Sequence, residues 1–306
     1  MTPLAGLGAV MTVAFDRVQA LDGRFLAGAL ALQLATLAFR SLALRNVLAA
    51  AYPERQIPVA SVAYAYAAGV ALNGYLPARG GEAAKVALLR ARLPGSSVAT
   101  ITSSLSVVML LDALLGASLV GALWATGVLP ELPLPPLPPL GAVPLATALS
   151  TAVLAAVALA ARRLRGALAG LLSSVVTGLA VLRAPGRLVR TVLPFQLAAW
   201  GCRIGVVLLV LHAFRIDAGP ETAALLVVLN GAATAVPVPG GAGSQQLLAT
   251  YALQGAVSSA GAVTFSLGMQ VGVTAVNTAV GLAAVMLLFR TLRPHVALRS
   301  VRVRSG

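Results

Sequence analysis

Charge is scarce in this chain. Asp, Glu, Lys and Arg make up 10% of 306 residues, where a soluble domain carries roughly a quarter. Lysine is almost missing: Lys85 is the one lysine, and every other base of the +14 net charge is arginine. Aromatic residues are 5%, too few for base-stacking platforms, so the positive charge does not point to nucleic acid. Cysteine is reduced to Cys202, which has no partner within the chain. Histidine is reduced to His212 and His295, without metal-ligand spacing. There is no Gly-Lys-Ser/Thr phosphate loop, and no Ser-His-acid or Cys-His set can be assembled. Gly240-Gly241-Ala242-Gly243-Ser244 follows Pro237-Val238-Pro239 rather than a strand, which argues against a nucleophile elbow. No metal, cofactor or catalytic activity is expected. The first charge is Asp16, so the start lacks the basic region of a secretory signal, and residues 1–15 are apolar but short for a span.

What the chain has is apolar length. Hydrophobic residues are 59%, mean hydropathy is +0.93, and apolar stretches of 18 or more recur. The fold class expected is all-α, a polytopic transmembrane helix bundle forming one integral domain over 1–306. Half one covers about 25–128 and half two about 191–290. Helices are predicted over about 25–51, 57–76, 82–93, 97–128, 142–161, 191–214, 221–236, 245–257 and 260–289, and the two Pro/Gly-broken segments are read as able to re-enter rather than cross. Residues 129–140 form a Pro-rich loop. Residues 162–190 form a basic segment at the interface. Arg162 to Arg190 holds six arginines and no acid, so the positive-inside rule sets that segment in the cytoplasm. The same rule sets the tail after Phe289 and the connection Arg79–Arg92 inside. The localisation expected is the bacterial inner membrane, multi-pass, with a cytoplasmic C-terminus. Charge parity leaves two routes open after Glu221: three crossings, or a re-entrant hairpin and one crossing.

Two stretches repeat a pattern that breaks an apolar helix. The first runs from Leu72-Asn73-Gly74 through Pro77-Ala78-Arg79-Gly80-Gly81-Glu82. The second runs from Leu229-Asn230-Gly231 through Pro237-Val238-Pro239-Gly240-Gly241-Ala242-Gly243-Ser244. Pro lacks an N–H and Gly is permissive, so helices stop here and backbone groups are freed. At membrane depth such groups are tolerated only inside protein or beside a water-filled cavity. Paired broken segments in two halves are a sequence pointer to a transport site. The likeness suggests an internal pseudo-repeat, parallel or inverted, whose two breaks meet.

Around the first break, Glu82 and Lys85 are three apart and share a helix face. With Arg79 and the free N–H groups after Gly80-Gly81 they form a candidate headgroup site for a lipid phosphate, completed by Asn73 and Pro77. The second break is uncharged and offers Asn230, Pro237, Pro239, Gly240, Gly241, Gly243, Ser244 and Gln246. Asp112 lies midway along an apolar helix, where a carboxylate is a functional candidate by default. Its expected ion-pair partner is Arg45 or Arg203. Arg40 and Arg45 are alternatively read as snorkelling to an interface.

At these residues the chain resembles the transmembrane region of lysylphosphatidylglycerol synthases, a flippase-like family. Pro77-Ala78-Arg79-Gly80-Gly81-Glu82 is similar to the family's Leu-Pro-Gly-Arg-x-Gly-Glu element. Pro237 to Gly243 is similar to its Pro-x-Pro-Gly-Gly-x-Gly element, and Arg45 falls where the family has an Arg ending an early helix. Two positions depart. Val108 and Met109 stand where the family often has Glu-Arg, and Gln246 stands where a Glu usually follows the second motif. The soluble aminoacyl-transferase domain has no counterpart in these residues. The resemblance therefore implies lipid handling rather than lipid aminoacylation. The function expected is binding and flipping of a phospholipid or lipid-linked headgroup across the bilayer, without nucleic acid. The rival reading is an accessory subunit that presents polyprenyl-phosphate or a glycolipid to a partner transferase.

Overall fold

The computed structural model describes residues 22–76, 80–127, 185–233 and 243–289. These form, in order, α1 (Gly23–Ala51), α2 (Val59–Asn73), α3 (Gly80–Arg92), α4 (Val98–Ala125), α5 (Pro185–Thr191), α6 (Leu193–Ala213), α7 (Pro220–Ala233), α8 (Ser244–Ala252) and α9 (Ser259–Phe289). The described residues are all helix and connection, as the composition requires. The Pro-rich loop, the span over 142–161, residues 162–184 of the basic segment and the tail after 289 lie outside them. Helix starts follow local chemistry. The Asp22 carboxylate accepts from Arg24 N–H at 2.9 Å, and Ser97 Oγ accepts from Thr100 N–H at 3.0 Å, each filling an orphan donor of the first turn. Helix α1 ends at Tyr52, the residue before Pro53.

Among the described residues four helices are long and apolar enough to cross a bilayer: α1, α4, α6 and α9. They expose large apolar side chains such as Leu110, Leu114, Val271 and Leu287, the surface expected against lipid. Helices α1 and α6 lie antiparallel along their length. The Phe25 ring is 5.5 Å from His212, Phe39 is 6.4 Å from Phe195, and Asn46 Nδ2 donates to the Thr191 carbonyl at 2.6 Å. One end of the bundle therefore holds the end of α1 and the start of α6. Arg45, Arg55, Arg90, Arg92, Arg187 and Arg190 belong to this basic end, with Glu54 the one acid there among the described residues. The opposite end carries Asp22, Arg24, Arg215, Asp217 and Glu221.

The other long helices among the described residues are too short to cross alone. At 1.5 Å per residue, α2 is about 22 Å long, α3 about 20 Å, α7 about 21 Å and α8 about 14 Å, against a hydrocarbon core of about 30 Å. Both ends of the α2–α3 pair sit at the basic end. The Arg55 guanidinium donates to the Pro94 carbonyl, and Ser97 N–H donates to the Tyr52 hydroxyl at 3.2 Å. Both ends of the α7–α8 pair sit at the opposite end. Ile216 before α7 and Leu253 after α8 share one buried cluster with Phe265, and Phe214 and Val257 pack against it. Each pair is thus a hairpin of half-helices that enters the bundle and returns.

The first broken segment thus takes the re-entrant form that was open to it, and the Tyr52–Arg55 turn lies at the same end as Arg90 and Arg92. The α7–α8 pair likewise resolves the choice left open after Glu221 in favour of a re-entrant hairpin. The repeat is inverted. The succession α1, α2–α3, α4 recurs as α6, α7–α8, α9, and each element runs opposite to its counterpart. Each hairpin's first limb packs on the long helix closing the other half. Tyr75, just past α2, bonds Thr278 of α9 at 2.9 Å, while Ala224, Leu225 and Leu229 of α7 pack on Leu123 of α4.

Candidate functional site

The breaks bring the first limb of each hairpin back into the bundle. Close backbone approach makes the α2–α3 turn possible. A Cβ on Gly81 would run into the Gly69 carbonyl oxygen, and one on Gly69 would run into the Lys85 side chain. Two glycines facing each other let α2 and α3 touch without side chains between them. Asn73 then ties the turn. Its Oδ1 accepts from Gly81 N–H at 2.9 Å, and its Nδ2 donates to Glu82 Oε1 at 3.1 Å.

The N-terminus of α3 is therefore capped from within. The expectation that the Gly80-Gly81 N–H groups await a phosphate is not met at Gly81, whose donor is taken by Asn73. The second break uses the same device with another amide. Gly243 N–H donates to Gln246 Oε1 at 2.6 Å, and Gln246 Nε2 donates to Gln270 at 2.9 Å. Gly243 sits at φ +85°, a conformation that glycine adopts without strain.

The charges gather beside the first break. Lys85 Nζ meets Glu82 Oε1 at 2.8 Å, as their spacing predicts. Lys85 is only 4% exposed, and its ammonium lies 4.2 Å from the centroid of the Tyr66 ring, an attractive placement for a cation over a π face. On the other side of Tyr66, the hydroxyl accepts from Arg40 Nη1 at 3.5 Å. Arg40 Nη2 in turn pairs with Asp112 Oδ2 at 2.8 Å. Asp112 also accepts from Trp200 Nε1 at 3.1 Å and from Gln196 Nε2 at 3.4 Å. One network thus runs from Asn73 and Glu82 through Lys85, Tyr66 and Arg40 to Asp112, joining four helices.

Asp112 is paired, as expected, but with Arg40 and not with Arg45. Arg45 donates to the Ile57 carbonyl at 3.2 Å and to Asn46 at 3.2 Å. It secures the α1–α2 turn at the basic end and is absent from the cavity lining. Arg203 does line the cavity, with its guanidinium 5.7 Å from the Trp200 ring. Tyr66, Trp200 and Gln196 are the members that sequence reasoning missed. Each stands in an apolar helix with no motif around it.

The network borders a cavity of about 790 Å³, within the range of ligand-binding clefts. Asn73, Glu82 and Lys85 of the first hairpin and Asn230, Gly231 and Gln245 of the second all line it. The flanks of the two breaks therefore meet around one space, as the repeat suggests. Pro77, Arg79, Pro237, Pro239, Gly240 and Gly241 lie outside the described residues. Gly80 and Ser244 begin α3 and α8 but are not part of the lining. Among the described residues no group of His, Cys, Asp and Glu is arranged to hold a metal ion.

No curated protein and no solved structure matches the chain. A family model does, over residues 9–281, a stretch that includes both hairpins and all four long helices but for the last turns of α9. The chain belongs to the family of the lysylphosphatidylglycerol synthase transmembrane region, membrane proteins associated with lipid handling.

Proposed function

We propose that this protein translocates a phosphate-bearing lipid headgroup across the bilayer through the cavity between its two hairpins. The observation that carries this reading is the charged network at mid-depth. Ionisable groups inside a membrane protein are expensive and line substrate paths. The cavity lining contains three bases (Arg40, Lys85, Arg203) and two acids (Glu82, Asp112). Its formal charge is positive by one, which suits a single phosphodiester. Arg40 and Lys85 flank Tyr66, so both cations can turn from their carboxylates towards one anion. The carboxylates hold those cations in place when no headgroup is bound.

The inverted arrangement supports movement rather than storage. Hairpins that enter from opposite ends give the cavity two related gates, the geometry of alternating access about a fixed site. The basic end faces the cytoplasm in this reading, by the positive-inside rule.

The test is a headgroup-translocation assay with purified protein in vesicles. Removing both members of a buried pair is often neutral for stability, whereas removing one strands a charge. The double variant Glu82→Gln/Lys85→Met is therefore expected to fold and to lose translocation. Wild-type rates from the folded double variant would overturn the reading.

A further inference from the structure

The starts of α3 and α8 are the helix tips that face the two breaks, and they are held differently. The cap of α3 comes from another helix, since Asn73 at the end of α2 accepts from Gly81 N–H. The cap of α8 comes from α8 itself, through Gln246 Oε1. The start of α8 therefore carries its cap along when it moves, whereas the start of α3 must break a bond to α2. Packing repeats the contrast. Helix α3 buries Gly81, Lys85, Leu88 and Leu89. Of the nine residues of α8 only Ala249 is buried, and Leu247 is 74% exposed.

The far ends differ as well. Each helix is followed three residues on by a glycine in the left-handed region, Gly95 at φ +74° and Gly255 at φ +84°. A Cβ on Gly95 would meet the Arg55 guanidinium, which also donates to the Pro94 carbonyl, so the end of α3 is clamped. Beyond the chain neighbours, no described atom lies within 4 Å of where a Cβ would stand on Gly255 or on Gly243. Leu253, next after α8, is fully buried in the cluster around Phe265 and anchors that end. The end of α8 with room to move is the one at the break, where Gln245 lines the cavity.

We infer that α8 is a hinged lid on the cavity. It turns about Gly255, swings its start with Gln245 away from α9, and opens the cavity towards the end opposite the basic one, while α2 and α3 stay in place. The inference rests on the proposed translocation and names which of its two gates moves. Hinges are element-terminal residues that absorb a backbone change, and glycine absorbs it without steric cost. Opening breaks the bond from Gln246 to Gln270 at 2.9 Å, a neutral contact whose groups turn to water in the cavity at small net cost. Moving α3 would instead carry the buried Lys85 ammonium off the Tyr66 ring and uncap Gly81. Helix α2 is wedged on α9, where a Cβ on Gly281 would run into the Ala71 methyl and Tyr75 bonds Thr278.

The experiment uses the full chain with Cys202→Ala. Leu247→Cys and Ala83→Cys, at the exposed fourth residues of α8 and α3, are each paired with Leu197→Cys, exposed on α6, and spin-labelled. Double electron–electron resonance in nanodiscs of phosphatidylcholine and phosphatidylglycerol is expected to give two distances for 247–197 and one for 83–197. A single narrow distance for both pairs would overturn the inference. A second arm ties the lid shut. Gln246→Cys/Gln270→Cys, joined by a short reducible bis-methanethiosulfonate, is expected to lose translocation of a fluorescent short-chain phosphatidylglycerol in vesicles and to regain it on reduction. The same tie between Tyr75→Cys and Thr278→Cys, neither of which lines the cavity, is expected to leave the rate unchanged. Equal rates for the tied and the reduced 246–270 variant would overturn the lid and leave the proposed function standing. No translocation by the wild-type chain would overturn the proposed function, and the two label distances would still decide the lid.

Discussion

The two hairpins share a backbone plan and differ in charge. In the first, Asn73 caps Gly81 and holds Glu82, and a buried lysine closes the set. In the second, Gln246 caps Gly243 and holds Gln270, and the one charge among its described residues, Glu221, lies in the first turn of α7, away from the break. Both therefore solve the same problem, an exposed helix start inside the bundle, with an amide from their own chain. Charge beside the break is a separate addition, made in the first hairpin. The comparison teaches that both helix starts beside the breaks are capped from within, and that what distinguishes the first hairpin is the charge on its side chains rather than a bare helix terminus.

The difference can be broken from the charged side first. Glu82→Gln leaves Lys85 buried without its carboxylate, which is expected to cost about 3–5 kcal/mol. Exposure of 27% at the Glu82 side chain lets water moderate this toward the lower figure. Adding Lys85→Met is expected to restore most of the loss, and thermal unfolding in detergent across the double-mutant cycle measures the coupling. Additive losses would mean that the ion pair is not the stabilising unit.

Next in size is the contact that lets the first hairpin close. Gly81→Ala forces a methyl against the Gly69 carbonyl, and overpacking of this kind costs about 1–3 kcal/mol. A contrasting change in the second hairpin, Gly231→Ala in its Leu-Asn-Gly step, meets nothing within 4 Å. It is expected to be neutral or to stabilise by up to about 1 kcal/mol, since alanine is the better helix former. Equal losses in melting temperature for the two variants would contradict the asymmetry in packing.

The smallest effect is expected at the neutral cap. Gln246→Leu frees Gly243 N–H and the Gln270 amide, for a loss of about 1 kcal/mol. Gln246→Glu keeps the acceptor for Gly243 and adds a negative charge beside the cavity. Translocation of an anionic lipid should fall in this variant while melting stays near wild type. Translocation unchanged by the added charge would argue that the second hairpin does not face the headgroup.

Much of this was legible in the residues. Long apolar runs punctuated by Pro and Gly place the described helices to within about five residues, apart from α5, which falls inside the basic segment 162–190. The spacing of Glu82 and Lys85 gives their ion pair, and the repeated Leu-Asn-Gly step gives the paired hairpins. The return of α2–α3 was legible only as one option beside a crossing. A half-helix and a crossing have the same hydropathy, and the positive-inside rule assigns Arg90 and Arg92 to one side under either path. What decides it is the contact of Arg55 with Pro94, between residues 39 apart. The partner of Asp112 was hidden for a different reason. Arg40 and Arg45 are five residues apart, so they point to different faces of α1, and only packing shows which face looks inward. Tyr66 and Trp200 gave no signal, because an aromatic residue in an apolar helix reads as core.

The inverted hairpins are the centre of this account, and cysteine accessibility tests them most directly. In a Cys202→Ala background, single cysteines replace Gln56 and Pro94, which flank the first hairpin, and Asp217 and Gln254, which flank the second. All four positions are exposed. A membrane-impermeant maleimide is expected to label 56 and 94 from one side and 217 and 254 from the other. Labelling of 56 and 94 from opposite sides, or of all four from the same side, would contradict the account.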